Sequence, residues 1–180
     1  GPGAEAWLDG LLTNAVPKKI GRVTLSYLLT KGGGVRAEFT VYKNGPQSYY
    51  LVSAGAYERH DQDYLLKALP TDGSVPFERL TTQVLVLAGP RARDVLSKVT
   101  RADLSNEAFP WLTGQRISIG AAPVDALRVN FIGELGWEIH HPIEMQNYIF
   151  DKLMEAGAEF DIKPFGIKAM TLMALEKSYK

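Results

Sequence analysis

The sequence predicts an α+β fold of mostly antiparallel sheets with packed helices, arranged as two meander-plus-helix units. Two observations carry this. Runs rich in β-branched and aromatic residues alternate with Gly- and Pro-containing turns, and stretches with apolar residues at helical spacing follow them. A third is an internal echo: Gly1-Pro2-Gly3-Ala4-Glu5-Ala6-Trp7-Leu8 matches Gly89-Pro90-Arg91-Ala92-Arg93-Asp94-Val95-Leu96 at Gly, Pro, Ala and Leu, and Leu11 answers Val99.

The elements follow in order. After the first Gly-Pro turn and its helix, Val23 to Leu29, Val35 to Tyr42 and Ser48 to Val52 read as strands. Their turns are Lys31-Gly32-Gly33-Gly34 and Asn44-Gly45-Pro46, which makes the stretch an antiparallel meander. Tyr57 to Leu69 has Tyr57, Asp61, Tyr64, Leu65 and Ala68 at helical spacing. Val84 to Ala88 is a buried strand, and Pro90 opens a helix carrying Leu96 and Val99 on one face. Val124 to Phe131 and Trp137 to His140 are two strands joined by Gly133-Glu134-Leu135-Gly136. Ile149, Phe150, Leu153 and Met154 mark a helix that Gly157 ends, and Pro164 opens a last helix to the C-terminus. The second Gly-Pro turn follows a strand whereas the first begins the chain. The chain is therefore expected to start inside a native domain, with Gly1-Pro2 a native turn and not a tag remnant. The expected organisation is one domain over residues 1–180, truncated at both ends, with repeat units of roughly 1–80 and 81–180.

Composition narrows function. The 180 residues are 46% hydrophobic and 22% charged, with 20 basic and 20 acidic side chains and no net charge. That is globular, not disordered, and lacks the basic excess of a nucleic-acid binder. The longest apolar run, Val84 to Ala88, is far below the ~18 residues of a membrane span. With no cysteine, disulfides, thiolate metal sites and Cys nucleophiles are excluded. A cytoplasmic location is expected, or the mitochondrial matrix in a eukaryote, with no targeting segment visible.

Several constellations resolve into ordinary structure. Gly32-Gly33-Gly34 lacks the Lys-Ser/Thr and following helix of a phosphate loop and reads as a hairpin turn. His140 and His141 are adjacent on a strand, point to opposite faces and are not expected to share a metal. His60, beside Asp61, is expected on a partly exposed helix. No Gly-x-Ser-x-Gly elbow occurs.

The strongest local signal is Phe131-Ile132-Gly133-Glu134-Leu135-Gly136-Trp137-Glu138, where glycines, aromatics and two carboxylates crowd one connection. Alternation sends Trp137 and Glu138 to opposite sides. Glu138 either faces solvent on a half-buried strand or faces the core, where it would need a donor pair, such as the parallel N–H groups of a planar heterocycle. Glu38 shares its face with Arg36 and Thr40, which on pattern alone is a normal polar face.

Six segments in register resemble the folate-binding aminomethyltransferase family, the glycine cleavage T-protein and its relatives. They are Gly21-Arg22-Val23-Thr24-Leu25-Ser26-Tyr27, Ala37-Glu38-Phe39-Thr40-Val41, Glu58-Arg59-His60-Asp61, Leu87-Ala88-Gly89-Pro90-Arg91-Ala92-Arg93, Gly133 to Glu138, and Phe165-Gly166 through Leu175-Glu176-Lys177. The nearest likeness is to the folate-binding half of dimethylglycine and sarcosine dehydrogenases. The resemblance implies a three-domain ring around tetrahydrofolate. A C-terminal β-barrel and, in a dehydrogenase parent, an FAD domain would then lie outside this chain. It implies that Glu138 grips the pterin, and that Glu38 manages the proton as a folate nitrogen attacks an iminium carbon to form 5,10-methylenetetrahydrofolate. It also implies that Phe131, Trp137 and Tyr179 line the folate site; from the placement of the histidines no metal is expected. Leu25, Met170 and Ala174 depart from the family's tyrosine and arginines. Alternatives from the same scaffold are glycine-cleavage aminomethyl transfer, another folate-dependent demethylation, or a non-catalytic folate-binding module. The expected partners are folate and a small amine, and the isolated chain is expected to turn over little or nothing.

Overall fold

The computed structural model describes residues 1–179 and divides into two compact units, Gly1–Arg79 and Leu80–Lys180. In the first unit, α1 (Ala4–Leu11) follows the opening turn. The antiparallel strands β1 (Val23–Leu29), β2 (Val35–Gly45) and β3 (Ser48–Val52) form a sheet in that order, and α2 (Glu58–Lys67) closes the unit. β2 runs three residues beyond the expected Tyr42, because the ladder to β3 continues to Gly45 opposite Ser48. Leu8, Leu28, Phe39, Val41 and Leu65 make the core. Lys43, 4% exposed, is held inside by the Tyr49 hydroxyl at 2.7 Å and the Glu5 carboxylate at 3.1 Å. Those contacts raise its pKa, the Tyr49 hydroxyl most of all; a buried ammonium persists only with such partners.

The second unit is a four-stranded antiparallel sheet in the order β4-β7-β6-β5. Its strands are β4 (Thr82–Ala88), β5 (Gly114–Ile119), β6 (Ala122–Leu127) and β7 (Gly136–Pro142). The helices α3 (Ala92–Ser97) and α4 (Gln146–Gly157) bury Val95, Leu96, Ile149 and Leu153 against Leu87, Ile117, Val124, Trp137 and Ile139 on one face of that sheet. The last helix, α5 (Ile167–Glu176), buries no residue. Ala4 and Leu8 of the echo are buried, as are Ala92 and Leu96, so its Ala and Leu positions are core contacts in both copies.

Other boundaries depart from the sequence expectation for identifiable reasons. Helix α3 begins at Ala92, since Pro90 lies in the turn where Gly89 takes φ +135°. Helix α5 begins at Ile167 and not Pro164, because Gly166 is still extended (φ −103°, ψ 176°). The strand expected to reach Phe131 ends at Leu127. The strand assignment stops there although the Arg128 N–H still donates across to the Thr113 carbonyl at 2.8 Å, one step past the Gly114–Leu127 pair. Strand β5 has no counterpart in the expectation.

β7 lies between β4 and β6, and six of its seven residues are buried. Its first residue allows no side chain: a Cβ on Gly136 would stand 2.6 Å from the Leu87 carbonyl oxygen and 3.0 Å from the Ala88 Cα. Gly136→Ala is therefore expected to cost about 1–3 kcal/mol by forcing the β4–β7 pairing apart. Thermal unfolding of the variant checks this, and an unchanged midpoint refutes the clash.

Candidate functional site

Residues 128–135 form the connection that leads into β7, and the chain clamps it from several sides. The Arg128 guanidinium donates to the Phe109 carbonyl at 2.5 Å and to Asn106 Oδ1 at 2.7 Å. Arg93 reaches the same Asn106 oxygen at 2.8 Å. Burial foremost, with Arg93 nearby, lowers the pKa of Arg128. Asn130 takes the Ile132 N–H at 2.9 Å and donates to the Glu134 carbonyl at 2.6 Å, an Asx-type brace for the tip. Gly133 sits at φ +71°, a conformation that favours glycine. Lys177 pairs with Glu134 at 2.5 Å. Tyr179 lies over Gly133, its Cδ2 only 3.2 Å from where a Cβ would be. Tyr179 and the Phe131 loop thus belong to one surface, on which Phe131 is 45% and Tyr179 43% exposed.

Glu138 follows immediately and is 4% exposed, so the reading of a solvent-facing carboxylate on a half-buried strand does not hold. The reason is that β7 is covered on both faces, which alternation alone does not reveal. The register sets Glu138 opposite Val86 on β4 and Leu127 on β6, neither of which offers its side chain a hydrogen bond. His140, two residues along on the same face, brings Nε2 to 3.3 Å from Glu138 Oε2.

Trp137 points the other way and is fully buried in the core, edge-on to Phe109 at 6.1 Å between ring centres. A ring enclosed by core side chains supports the strand that carries Glu138, and its burial favours that role over the expected ligand contact. His141, also buried, donates Nδ1–H to the Ile139 carbonyl at 2.8 Å and meets the Gln146 carboxamide at 2.7 Å, a packing role. His60 contacts Asp61 at 3.1 Å. Among the described residues no group of three His, Cys, Asp or Glu side chains could hold a metal. Nor is any helix among them long and apolar enough to cross a membrane.

In the first unit, Glu38 is exposed on β2 and opposes Tyr27 on β1. Arg36 turns aside to stack on Tyr64, 4.3 Å from its ring centre. The Glu38 charge, and then its hydrogen bond with the phenol, raise the Tyr27 pKa, because a phenolate would face a carboxylate. Glu38→Gln removes that charge, so Tyr27 is expected to titrate at lower pH in the variant. Tyrosine ring NMR against pH checks the shift, and an unmoved midpoint shows that the two groups do not interact.

An apolar cavity of about 500 Å³ lies elsewhere in the second unit, between β4, α4 and the chain leading to α5, lined by Leu85, Leu87, Phe150, Leu153, Phe160 and Met170 among others. It holds none of Glu138, Phe131, Trp137 and Tyr179. Sequence reasoning passed over Arg128, Asn130 and the contact of His140 with Glu138. The last had a readable signal, since two residues' separation on a strand means one face.

With this geometry in hand, comparison with known proteins is decisive at the family level. The family described as the GCVT N-terminal domain matches residues 1–180. The chain belongs to this family. Mouse mitochondrial dimethylglycine dehydrogenase is 38% identical over 176 residues, 96% of this chain and 20% of that protein. Mouse mitochondrial sarcosine dehydrogenase is 31% identical over 201 residues, covering all of this chain and 21% of its own length. The crystal structure of the glycine cleavage system aminomethyltransferase T from Bartonella henselae superposes with a TM-score of 0.79 at 26% identity, over 99% of this chain and 47% of that one. The GCVT chain thus spans about a fifth of the length of the dehydrogenases it matches. It is an aminomethyltransferase-like domain related to dimethylglycine and sarcosine dehydrogenases, with the α+β antiparallel architecture of the T-protein.

Proposed function

We propose that this GCVT domain binds tetrahydrofolate within a one-carbon transfer enzyme. The enzyme would capture a methylene unit from an oxidised N-methyl amine of the dimethylglycine or sarcosine type and give 5,10-methylenetetrahydrofolate. The observation that carries the reading is the buried carboxylate of Glu138, flanked across the sheet by Val86 and Leu127. A carboxylate so placed is costly unless N–H donors meet it, and its two oxygens accept a parallel pair at once. A reduced pterin, with a ring N–H beside an amino group, supplies such a pair. Reduced folate, when bound, brings the nucleophilic nitrogen that takes up the one-carbon unit.

The chain's own residues do the rest. Glu138 would fix the ring's orientation, and Phe131 and Tyr179 would offer exposed aromatic surface beside it. The Glu38 carboxylate would accept the proton released as the amine carbon is captured, with Tyr27 hydrogen-bonded to it. The names of the relatives favour dimethylglycine or sarcosine as amine and, for a eukaryotic source, a mitochondrial location. The T-protein match favours a second reading, glycine-derived aminomethyl transfer; donor assays on the longest available form of the protein separate the two. Calorimetric titration of this chain with 5-formyltetrahydrofolate tests the common core of both. Saturable binding is expected, and its absence rejects the folate site on this chain.

A further inference from the structure

Glu138 has three side-chain torsions to fix and, across the sheet, only Val86 and Leu127 beside it. A carboxylate that must present both oxygens in one plane to a ligand loses affinity if it is free to rotate, since binding then has to order it. The polar group that meets it is His140, 2% exposed, with Nε2 at 3.3 Å from Oε2. An ionised carboxylate only accepts, so Nε2 carries the proton and donates. One such bond leaves the carboxylate its other oxygen and a second lone pair on Oε2, which is what a pair of ligand N–H groups needs. The ring is fixed in turn by its place on β7, where the register sets His140 between Val84 on β4 and Asp125 on β6. Asp125 is itself paired with Arg116 at 3.6 Å.

We propose that His140 is a positioning residue for the ligand carboxylate: its Nε2–H holds Glu138 in the orientation that receives the donor pair. The inference rests on the reading of Glu138 as the pterin contact and adds to it the residue that makes that contact rigid. It also separates the adjacent histidines His140 and His141: one ring serves the site and its neighbour serves the packing.

The test is a double-mutant cycle read by calorimetry with 5-formyltetrahydrofolate on this chain, using His140→Phe, His140→Gln and Glu138→Ala. Phe keeps the ring and removes the donor; Gln restores an N–H. His140→Phe is expected to weaken binding about 10-fold, and His140→Gln to recover most of that loss. In the Glu138→Ala background His140→Phe is expected to add nothing, because its effect passes through the carboxylate. A merely structural histidine would lower the unfolding midpoint of both variants and leave the affinity of the folded protein alone. Wild-type affinity in His140→Phe, or losses that add in full, overturns the proposal. If Glu138→Ala itself binds like wild type, the pterin reading fails first; if Glu138→Ala loses binding and His140→Phe does not, only the positioning role fails. Absence of binding by the wild-type chain overturns both. Nitrogen-15 NMR of the unmutated chain gives a readout that does not depend on any variant folding: the Nε2–H tautomer is expected for His140, and the Nδ1–H tautomer overturns the proposal.

Discussion

Glu138→Ala is expected to weaken binding of 5-formyltetrahydrofolate by at least about 100-fold. Two hydrogen bonds to an ionised carboxylate contribute about 1.5–3 kcal/mol each, so their joint loss is about 3–6 kcal/mol, and each 1.4 kcal/mol is a factor of ten. The lower end of that range already gives the stated effect. Glu138→Gln is the more discriminating variant. A carboxamide has one acceptor oxygen and an NH₂, so one of the two ligand donors would meet another donor across a buried contact. Gln is therefore expected to bind no better than Ala despite its closer shape. Calorimetry on the three proteins decides it. Near-wild-type affinity in the glutamine variant would mean that a single acceptor suffices and would remove the argument for a donor pair. Val86 and Leu127, which face Glu138 across the sheet, lose no partner, but Glu138→Ala removes the acceptor that the buried His140 Nε2–H meets. That variant is expected to be destabilised by about 1–3 kcal/mol, and affinity is compared on protein shown to be folded.

How far the sequence could go is visible on β7 itself. Strand period 2 assigns Trp137 and Glu138 to opposite sides, and the structure agrees. Period alone says nothing about how many layers cover a strand, so it could not tell that Glu138 is buried; in the structure residues on both faces of β7 are covered. The same limit hid β5. Gln115, Arg116 and Ser118 dilute its apolar residues to Ile117 and Ile119, and as an edge strand it pairs only with β6. The overrun past Leu127 has a different cause. Val129 and Phe131 are good strand formers, but side chains at Arg128 and Asn130 bond to neighbouring chain and pull the segment out of the ladder. Local propensity cannot register such contacts. What sequence did place well were groups whose cause is local: the first-unit meander with its Lys31–Gly34 turn, and the Gly-Pro turns that each lead into a short amphipathic helix.

Trp137 carries the largest expected effect on stability. Trp137→Ala would empty the centre of the second unit's core, where the ring meets Phe109 edge-on and lies about 6 Å from the Arg93 and Arg128 guanidiniums. Removing a buried tryptophan typically costs about 3–5 kcal/mol, comparable with the whole stability of many domains of this size. The second unit is therefore expected to unfold, or to melt well below the wild type by circular dichroism. Trp137→Phe separates the parts of that cost. The indole Nε1 is buried and, among the described residues, finds no hydrogen-bond partner. A buried donor left unpaired costs about 1–3 kcal/mol, so phenylalanine loses packing volume but also sheds that penalty. Its net cost is expected to be about 1–2 kcal/mol, less than the missing volume alone would suggest. The same variant decides the role of the residue at the site. If Trp137 only supports β7, folded Trp137→Phe keeps its affinity for 5-formyltetrahydrofolate within a few-fold while its melting point falls. If the indole touched the pterin, affinity would fall with stability hardly changed. The two readouts move in opposite combinations, and full burial of the ring favours the first.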